Sequence, residues 1–238
     1  MIPIQWKQND KKTMHVNEAE NGVVYLTWPA IEKIEGIRHA FSTRIGGVSK
    51  EHLSSMNLSF SRGDDPANVR ENYRRFCEAA GFEVENIVTS DQAHTTKVRY
   101  VTKADCGSGV TRDRDFHDID GMITDEPGVV LATFYADCVP LYFVDPVHRA
   151  IGLSHSGWRG TVQATLDAMH ERFGTEAKDV IAAVGPSICQ ECYEVSGDVI
   201  EEFRAAFPET LHEKLFCGKP DGKYQLNLWE ANHQILLA

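Results

Sequence analysis

The chain has 238 residues, 42% hydrophobic and 25% charged, and a formal net charge of −11. That is enough apolar material for a substantial core, and too acidic a balance for duplex nucleic acid or an anionic membrane to be the main partner. No apolar run nears the roughly 20 residues that span a bilayer, and Met1-Ile2-Pro3-Ile4-Gln5-Trp6 lacks the basic and apolar regions of a signal peptide, so a cytoplasmic protein is expected.

In chain order, Val23–Leu26 and Arg38–Ser42 read as strands. Asp64-Asp65-Pro66 then starts a helix, with Asp65 as cap and Pro66 at the first helical position. Val69, Tyr73, Phe76 and Ala80 share one face, and Gly81 stops it. Ile87–Thr89 is strand-like, and a further strand starts near Lys97. Lys103–His117, around Cys106-Gly107-Ser108-Gly109, reads as a surface loop.

The nearly continuous apolar runs Val129–Tyr135 and Leu141–Val144 are expected to be strands buried on both faces. Asp145-Pro146 turns the chain into another strand, Ala150–Ser154. After Gly157-Trp158-Arg159-Gly160 comes a helix with Val162, Leu166, Met169 and Phe173 in one stripe and Gly174 at its end. Val180–Val184 is a buried strand, Asp198–Phe207 a helix, and Phe216–Gly222 a loop. Strand and helix patterns interleave without a break in composition. A single α+β domain over residues 1–238, with mixed sheets flanked by helices, is therefore expected.

Three residues at strand ends attract chemical interest. His155 leaves an apolar strand for a glycine-rich loop before a helix, where α/β sites are commonly built. A histidine merely hydrogen-bonded at a strand end accounts for the same pattern. Cys138 lies in Tyr135-Ala136-Asp137-Cys138-Val139-Pro140, where inert packing is the plain alternative. Asp137 makes packing less comfortable, because a carboxylate beside the core needs a partner. His94, in Gln92-Ala93-His94-Thr95, can also be read as a solvated loop residue. Taken together, two histidines and a cysteine supply the three protein ligands of a catalytic zinc and leave a fourth position open. The same residues also compose a metal-free cysteine hydrolase, with Cys138 as nucleophile and His155 as base.

Two glycine-bearing loops, Arg44 with Gly46 and Gly47, and Arg159 between Gly157 and Gly160, have the composition of an anion site, or simply of turns. Asp120 before Gly121 fits either a turn or a substrate contact. Six cysteines are too sparse for a disulfide framework in a chain of this length.

From Arg38-His39-Ala40-Phe41-Ser42-Thr43-Arg44-Ile45-Gly46-Gly47 onward the chain resembles the YfiH/YlmD family, also labelled laccase-domain or multicopper polyphenol oxidase proteins. Matching blocks follow in order: Met56-Asn57-Leu58, Gly63-Asp64-Asp65, Gln92-Ala93-His94, Asp120-Gly121-Met122, Ala136-Asp137-Cys138, His155 to Gly160, and Gly185-Pro186-Ser187. The resemblance implies an α+β fold like a cysteine-hydrolase toxin domain and one zinc on His94, Cys138 and His155. It also implies action on purine nucleosides: phosphorolysis of adenosine, inosine, guanosine and methylthioadenosine, and deamination of adenosine. Within it, Arg44, Gly47 and Arg159 gain weight as phosphate contacts and Asp120 as a substrate contact. Asp137 is the nearest candidate for proton transfer.

Two departures accompany the resemblance. The family's basic C-terminal stretch is not found before Ala238; either the sequence is truncated there or this member lacks that wall of the site, and an incomplete wall is expected. Cys189 replaces a usual glycine and creates Cys189-Gln190-Glu191-Cys192, which is read as incidental. The laccase label predicts a copper oxidase. Such enzymes rely on His-x-His pairs, and none of the ten histidines is two residues from another, so zinc is the expected metal and copper the alternative.

Overall fold

The computed structural model describes residues 13–156 and 161–238. The chain forms two compact units, one up to Asn86 and one from Ile87. In the first, β1 (His15–Glu18), β2 (Val24–Thr27) and β3 (Phe41–Ser42) make an antiparallel sheet in the order β1-β2-β3, with a short helix α1 (Pro29–Glu32) after β2. The strand expected at Arg38–Ser42 is reduced to its last two residues. Before them, side chains hold the backbone: His39 Nε2 accepts the Trp28 N–H at 2.7 Å, and Arg38 reaches the Gly81 carbonyl at 2.5 Å.

Helix α2 (Pro66–Ala80) follows its sequence signals closely. The Asp65 carboxylate accepts the Ala67 N–H at 2.8 Å, and Gly81 ends the helix at φ 75°, a left-handed conformation that costs glycine no Cβ clash. Its inward face buries Val69 and Tyr73 as expected, and also Asn72 and Cys77. Asn72 is fully buried because the preceding loop is folded around it. It accepts the Val48 N–H and donates to the Ser49 hydroxyl and the Asn57 carbonyl, each at 2.8 Å. Asp64 takes the Asn57 amide, the Ser49 hydroxyl and the Asn68 amide, which hold its carboxyl down at about 2. These bonds account for two of the sequence blocks, Met56-Asn57-Leu58 and Gly63-Asp64-Asp65.

The second unit is built on a five-stranded mixed sheet in the order β10-β8-β9-β6-β5. Its strands are β5 (Val98–Tyr100), β6 (Gly121–Thr124), β8 (Val139–Asp145), β9 (Ala150–Ser156) and β10 (Ile181–Val184). A parallel pair, β4 (Ile87–Thr89) and β7 (Val130–Ala132), forms a separate small sheet. Helices α3 (Thr161–Phe173), α4 (Gly197–Ala206), α5 (His212–Leu215) and α6 (Leu228–Leu237) and a third sheet, β11 (Glu194–Val195), β12 (Phe216–Gly218) and β13 (Tyr224–Leu226), complete it. The fold is thus α+β with mixed sheets, as expected.

Two further strand assignments change. Val129–Tyr135 is a strand only over Val130–Ala132, because beyond Ala132 the main chain of residues 93–95 leaves and the Gln92 side chain pairs with Phe134 instead. Phe216–Gly222 is not a plain loop. β12 and β13 pair antiparallel around a turn closed by Lys219 N–H to the Lys223 carbonyl at 2.8 Å.

Side chains of β8 and β9 alternate between two cores. Leu141, Phe143 and Ala150 pack with Val162 and Met169 of α3 and with Ile200, Phe203 and Leu228. Ile151, Leu153 and Tyr142 face the other way, with Val88, Leu131 and Met122. Each fully buried large side chain contributes roughly 1.5–3 kcal/mol. This period of two decides the site. His155 shares the parity of Ile151 and Leu153, while Ser154 meets Thr165 of α3 and Ser156 meets Asn232 of α6 on the opposite face.

Candidate metal centre

His155 lies inside β9, opposite Pro140 of β8, and one step earlier than its strand ends. It is 6% exposed. Its Nδ1 is 2.8 Å from Asp120 Oδ1, and its backbone N–H donates to the Asp120 carbonyl at 2.7 Å. With Nδ1–H donating to the carboxylate, Nε2 is left as the lone-pair nitrogen, the form a metal ligand needs. Burial lowers the pKa of His155, the Asp120 carboxylate opposes that, and His94 adds to the lowering; the imidazole is held toward its neutral form.

Asp120 was a candidate substrate contact, and the structure turns it inward. It has no exposed surface. Besides His155, its oxygens accept the N–H groups of Ala93 (3.1 Å), His94 (3.1 Å) and Thr95 (2.6 Å) and the Thr95 hydroxyl (3.0 Å). Burial alone would raise this carboxyl, but the bonds from Thr95, His155 and Ala93 outweigh it and hold it low. The glycine beside it is dictated by packing, since a Cβ at Gly121 would come within 2.9 Å of Thr165 and Val98. The same bonds hold His94 at φ +57°, a left-handed conformation rare outside glycine and asparagine.

Cys138 sits in the bend just before β8, half-buried. Upstream, Tyr135 donates to the Ser154 carbonyl at 3.0 Å and lays its ring 5.7 Å from that of His155, walling the imidazole. Burial pushes the Cys138 thiol up, and the carboxylates of Asp137 and Asp120 push it further. A thiol so placed is a poor free nucleophile at neutral pH, and it needs a cation to become thiolate.

His94, Cys138 and His155 converge. One ligand atom from each lies within 4.8 Å of the others, and the two imidazole rings are 4.8 Å apart, centre to centre. Among the described residues this is the cluster of three or more donors that meets that spacing. Tetrahedral N/S ligation has edges of roughly 3.4 Å, so the set is gathered to near coordination distance. The donors come from loops after β4 and β7 and from the end of β9, the carboxyl ends of all three strands, where α/β proteins gather their ligands. Exposure grades from exposed His94 through Cys138 to buried His155, leaving one open side. A soft thiolate with two imidazoles and an open position fits zinc, and the thiolate also suits copper.

The other candidates have surroundings of their own. Asp137 is exposed, with its backbone carbonyl taking the Ile188 N–H at 3.0 Å. Arg44 and Gly47 belong to the first unit. Arg44 Nε and Nη2 donate to the Ser54 carbonyl (3.1 and 2.9 Å), and Nη2 also to that of His52 (2.7 Å). A Cβ on Gly47 would lie 2.0 Å from the Ser55 carbonyl oxygen, and its N–H donates to the Ser55 hydroxyl at 3.1 Å. Both residues therefore brace their own loop. Arg159 lies outside the described residues. Cys189-x-x-Cys192 spans a short turn, Gln190–Cys192, and neither cysteine belongs to the three-donor cluster found among the described residues. The inward role of Asp120 was not legible from its sequence neighbours. Its signal, five accepted bonds from groups 25 to 35 residues away, exists only in three dimensions.

Residues 38–238 match the family described as multi-copper polyphenol oxidoreductase laccase. The purine nucleoside phosphorylase YlmD of Geobacillus stearothermophilus is 38% identical over 205 residues, which cover 83% of this chain and 73% of that protein. Adenosine deaminase RL5, from an unknown prokaryotic organism, is 31% identical over 212 residues, 87% of this chain and 80% of that one. The crystal structure of the hypothetical protein YfiH of Bacillus licheniformis superposes with a TM-score of 0.83 at 31% identity, covering 93% of this chain and 83% of the other. The chain belongs to the laccase-domain family of YfiH and YlmD proteins.

Proposed function

We propose that this protein is a zinc-dependent purine nucleoside enzyme, which cleaves adenosine, inosine, guanosine and methylthioadenosine with phosphate and deaminates adenosine. The observation that carries the reading is the convergence of His94, Cys138 and His155 within 4.8 Å, in a chain whose relatives include proteins named for both activities. A zinc ion held by these three donors would supply Lewis acidity toward a substrate atom at the open side.

The chain's own groups then have distinct tasks. His155, fixed by Asp120, presents Nε2, and Tyr135 shuts water from one side of its ring. Exposed His94 marks the side from which substrate enters. In phosphorolysis a phosphate oxygen bonds to the ribose carbon while the carbon–nitrogen bond breaks toward the purine. Asp137, the exposed carboxyl next to Cys138, is the group proposed to manage the proton of the departing base. Arg44, Gly47 and Arg159 are the proposed phosphate contacts. In deamination water oxygen replaces the amino group, and ammonia leaves.

Elemental analysis, combined with product identification from adenosine plus phosphate, tests this reading. One zinc per chain with adenine, ribose 1-phosphate and ammonia is expected. A metal-free protein or the absence of all three products overturns it. The phosphate role of Arg44 has its own test. Arg44→Ala should lower phosphorolysis about tenfold to a hundredfold, the effect of losing a charge-assisted contact, and ammonia release much less. Equal loss of both, with a lowered melting temperature, would mean that its bonds to the Ser54 and His52 carbonyls are its whole role.

The metal-free hydrolase reading has the raised Cys138 thiol against it. Multicopper oxidation needs several copper ions, and the described residues gather one three-donor cluster.

A further inference from the structure

The loops that carry His94 and Cys138 are joined by a side chain acting as backbone. β4 and β7 run parallel with Thr89 opposite Ala132, and the ladder continues one step as Ser90 N–H donates to the Ala132 carbonyl at 3.1 Å. In a parallel ladder the Phe134 N–H would next donate to the Ser90 carbonyl, and the Gln92 N–H to the Phe134 carbonyl. The Gln92 side chain takes both bonds instead. Its Nε2 donates to the Phe134 carbonyl at 2.5 Å, and its Oε1 accepts the Phe134 N–H at 2.7 Å. A carboxamide offers the same donor and acceptor as a peptide group, so the ladder goes on without the main chain. The Ser90 hydroxyl, 3.1 Å from Oε1, fixes which end of the amide faces which partner.

Freed from the ladder, the main chain of residues 93–95 turns toward Asp120, with His94 at φ +57°. Gln92 is therefore the point where the two ligand-bearing paths divide. Phe134, which it grips, lies four residues before Cys138 on a segment otherwise pinned by Tyr135 to the Ser154 carbonyl and by Ile188 N–H to the Asp137 carbonyl. We propose that Gln92 is a positioning residue that sets the separation of His94 and Cys138, and so decides whether the thiolate joins the two histidines on one metal ion. This rests on the reading of the cluster as a metal site. It assigns Gln92 no contact with substrate.

The test uses cobalt(II) as the metal, titrated into the metal-free full chain. A tetrahedral cobalt site with a cysteine ligand gives a thiolate-to-cobalt charge-transfer band beside its d–d bands, so the spectrum reports Cys138 separately from the histidines. Gln92→Glu keeps the size of the side chain and removes the donor, and Gln92→Met removes both partners. Both are expected to lose most of the charge-transfer intensity per bound cobalt, and to bind cobalt about tenfold to a hundredfold more weakly, the range for outer groups that orient metal ligands. Asp145→Asn, at the far end of β8, serves as the control for general destabilisation and should keep the wild-type spectrum.

Four outcomes overturn the proposal. Variants with a wild-type spectrum and affinity would show that Gln92 does not place the thiolate. A band lost equally in Asp145→Asn would assign the loss to destabilisation, and failure of both Gln92 variants to fold would make the residue a scaffold element. A wild-type protein with no charge-transfer band would instead sink the metal reading of Cys138 itself, so the two failures are told apart by the wild-type spectrum alone.

Discussion

The two ends of the β8–β9 hairpin carry nearly the same device. At the turn, Asp145 is fully buried, accepts the N–H groups of Val147 and His148 at 2.8 and 3.0 Å, and holds His148 Nδ1 at 2.8 Å. At the open end, Asp120 is fully buried, accepts loop N–H groups, and holds His155 Nδ1 at the same 2.8 Å. In both, burial works to raise the carboxyl pKa, and the accepted hydrogen bonds outweigh it. The difference lies beyond the histidine. His155 is joined by His94 and Cys138 from two further loops, whereas His148 belongs to no three-donor cluster among the described residues. A buried carboxylate gripping a histidine is thus an ordinary way to close a loop. It becomes part of a candidate centre only where strands from elsewhere in the sheet system deliver more donors to the free nitrogen.

The sharpest way to break this comparison is to remove a donor. Cys138→Ala and His155→Ala should each abolish stoichiometric zinc, read by elemental analysis after dialysis, while His148→Ala leaves it unchanged. Full zinc occupancy in Cys138→Ala would make the two ends equivalent and the assignment wrong.

Next in size come the carboxylates. Asp120→Asn and Asp145→Asn should each destabilise the metal-free protein by about 2–4 kcal/mol, since a buried charge-assisted network is disrupted. Only Asp120→Asn should also weaken zinc binding, about tenfold to a hundredfold. Chemical denaturation and a chelator competition measure the two quantities separately, and a zinc affinity in Asp145→Asn as weak as in Asp120→Asn would erase the distinction.

A smaller effect is expected in the pH dependence. The pKa of His155 is lowered in the fold, so on acidification the unfolded chain takes up a proton near its usual pKa of about 6.5 before the folded one does. The unfolded state binds more protons there, and the stability of the metal-free protein should fall as pH drops from about 7 toward 5. His155→Gln should flatten that slope. The carboxylates act lower and alike. Both have depressed folded pKa values, so what they contribute is fully present above about pH 4 and disappears below it. Denaturation midpoints at pH 7, 6 and 5 provide the check, and an unchanged slope in His155→Gln would remove this asymmetry. Smallest of all, Cys189→Ala should leave zinc content and activity near wild type; a large fall in either would return the Cys189-x-x-Cys192 pair to the site.

Local features were written plainly in the residues. Asp65, Pro66 and Gly81 bound α2 as their conformational preferences require, and Val162, Leu166 and Met169 mark the inward face of α3. Each depends on contacts within a few residues, where helical and strand periods are set by backbone geometry. His94, Cys138 and His155 were recognisable as a set through ordered family blocks, since 44 and 17 residues separate them and no local pattern joins them.

What the tertiary structure alone decided is direction and company. Nothing next to Asp120 says that its carboxylate faces inward to three loop N–H groups and a histidine, because those partners arrive only when β6 pairs with β5 on one side and β9 on the other. Nothing in Val129–Tyr135 says that the strand stops at Ala132, since the apolar run continues and the ending is made by a glutamine about forty residues upstream. The sequence by itself determined where α2, α3 and α4 begin and end, which residues are candidate metal donors, and the α+β class. The parallel pairing of β4 with β7 and the antiparallel pairing of β9 with β6 and β8 decided which of those residues meet. Such pairings are long-range choices, made by the packing of two cores and not by the preferences of any one segment.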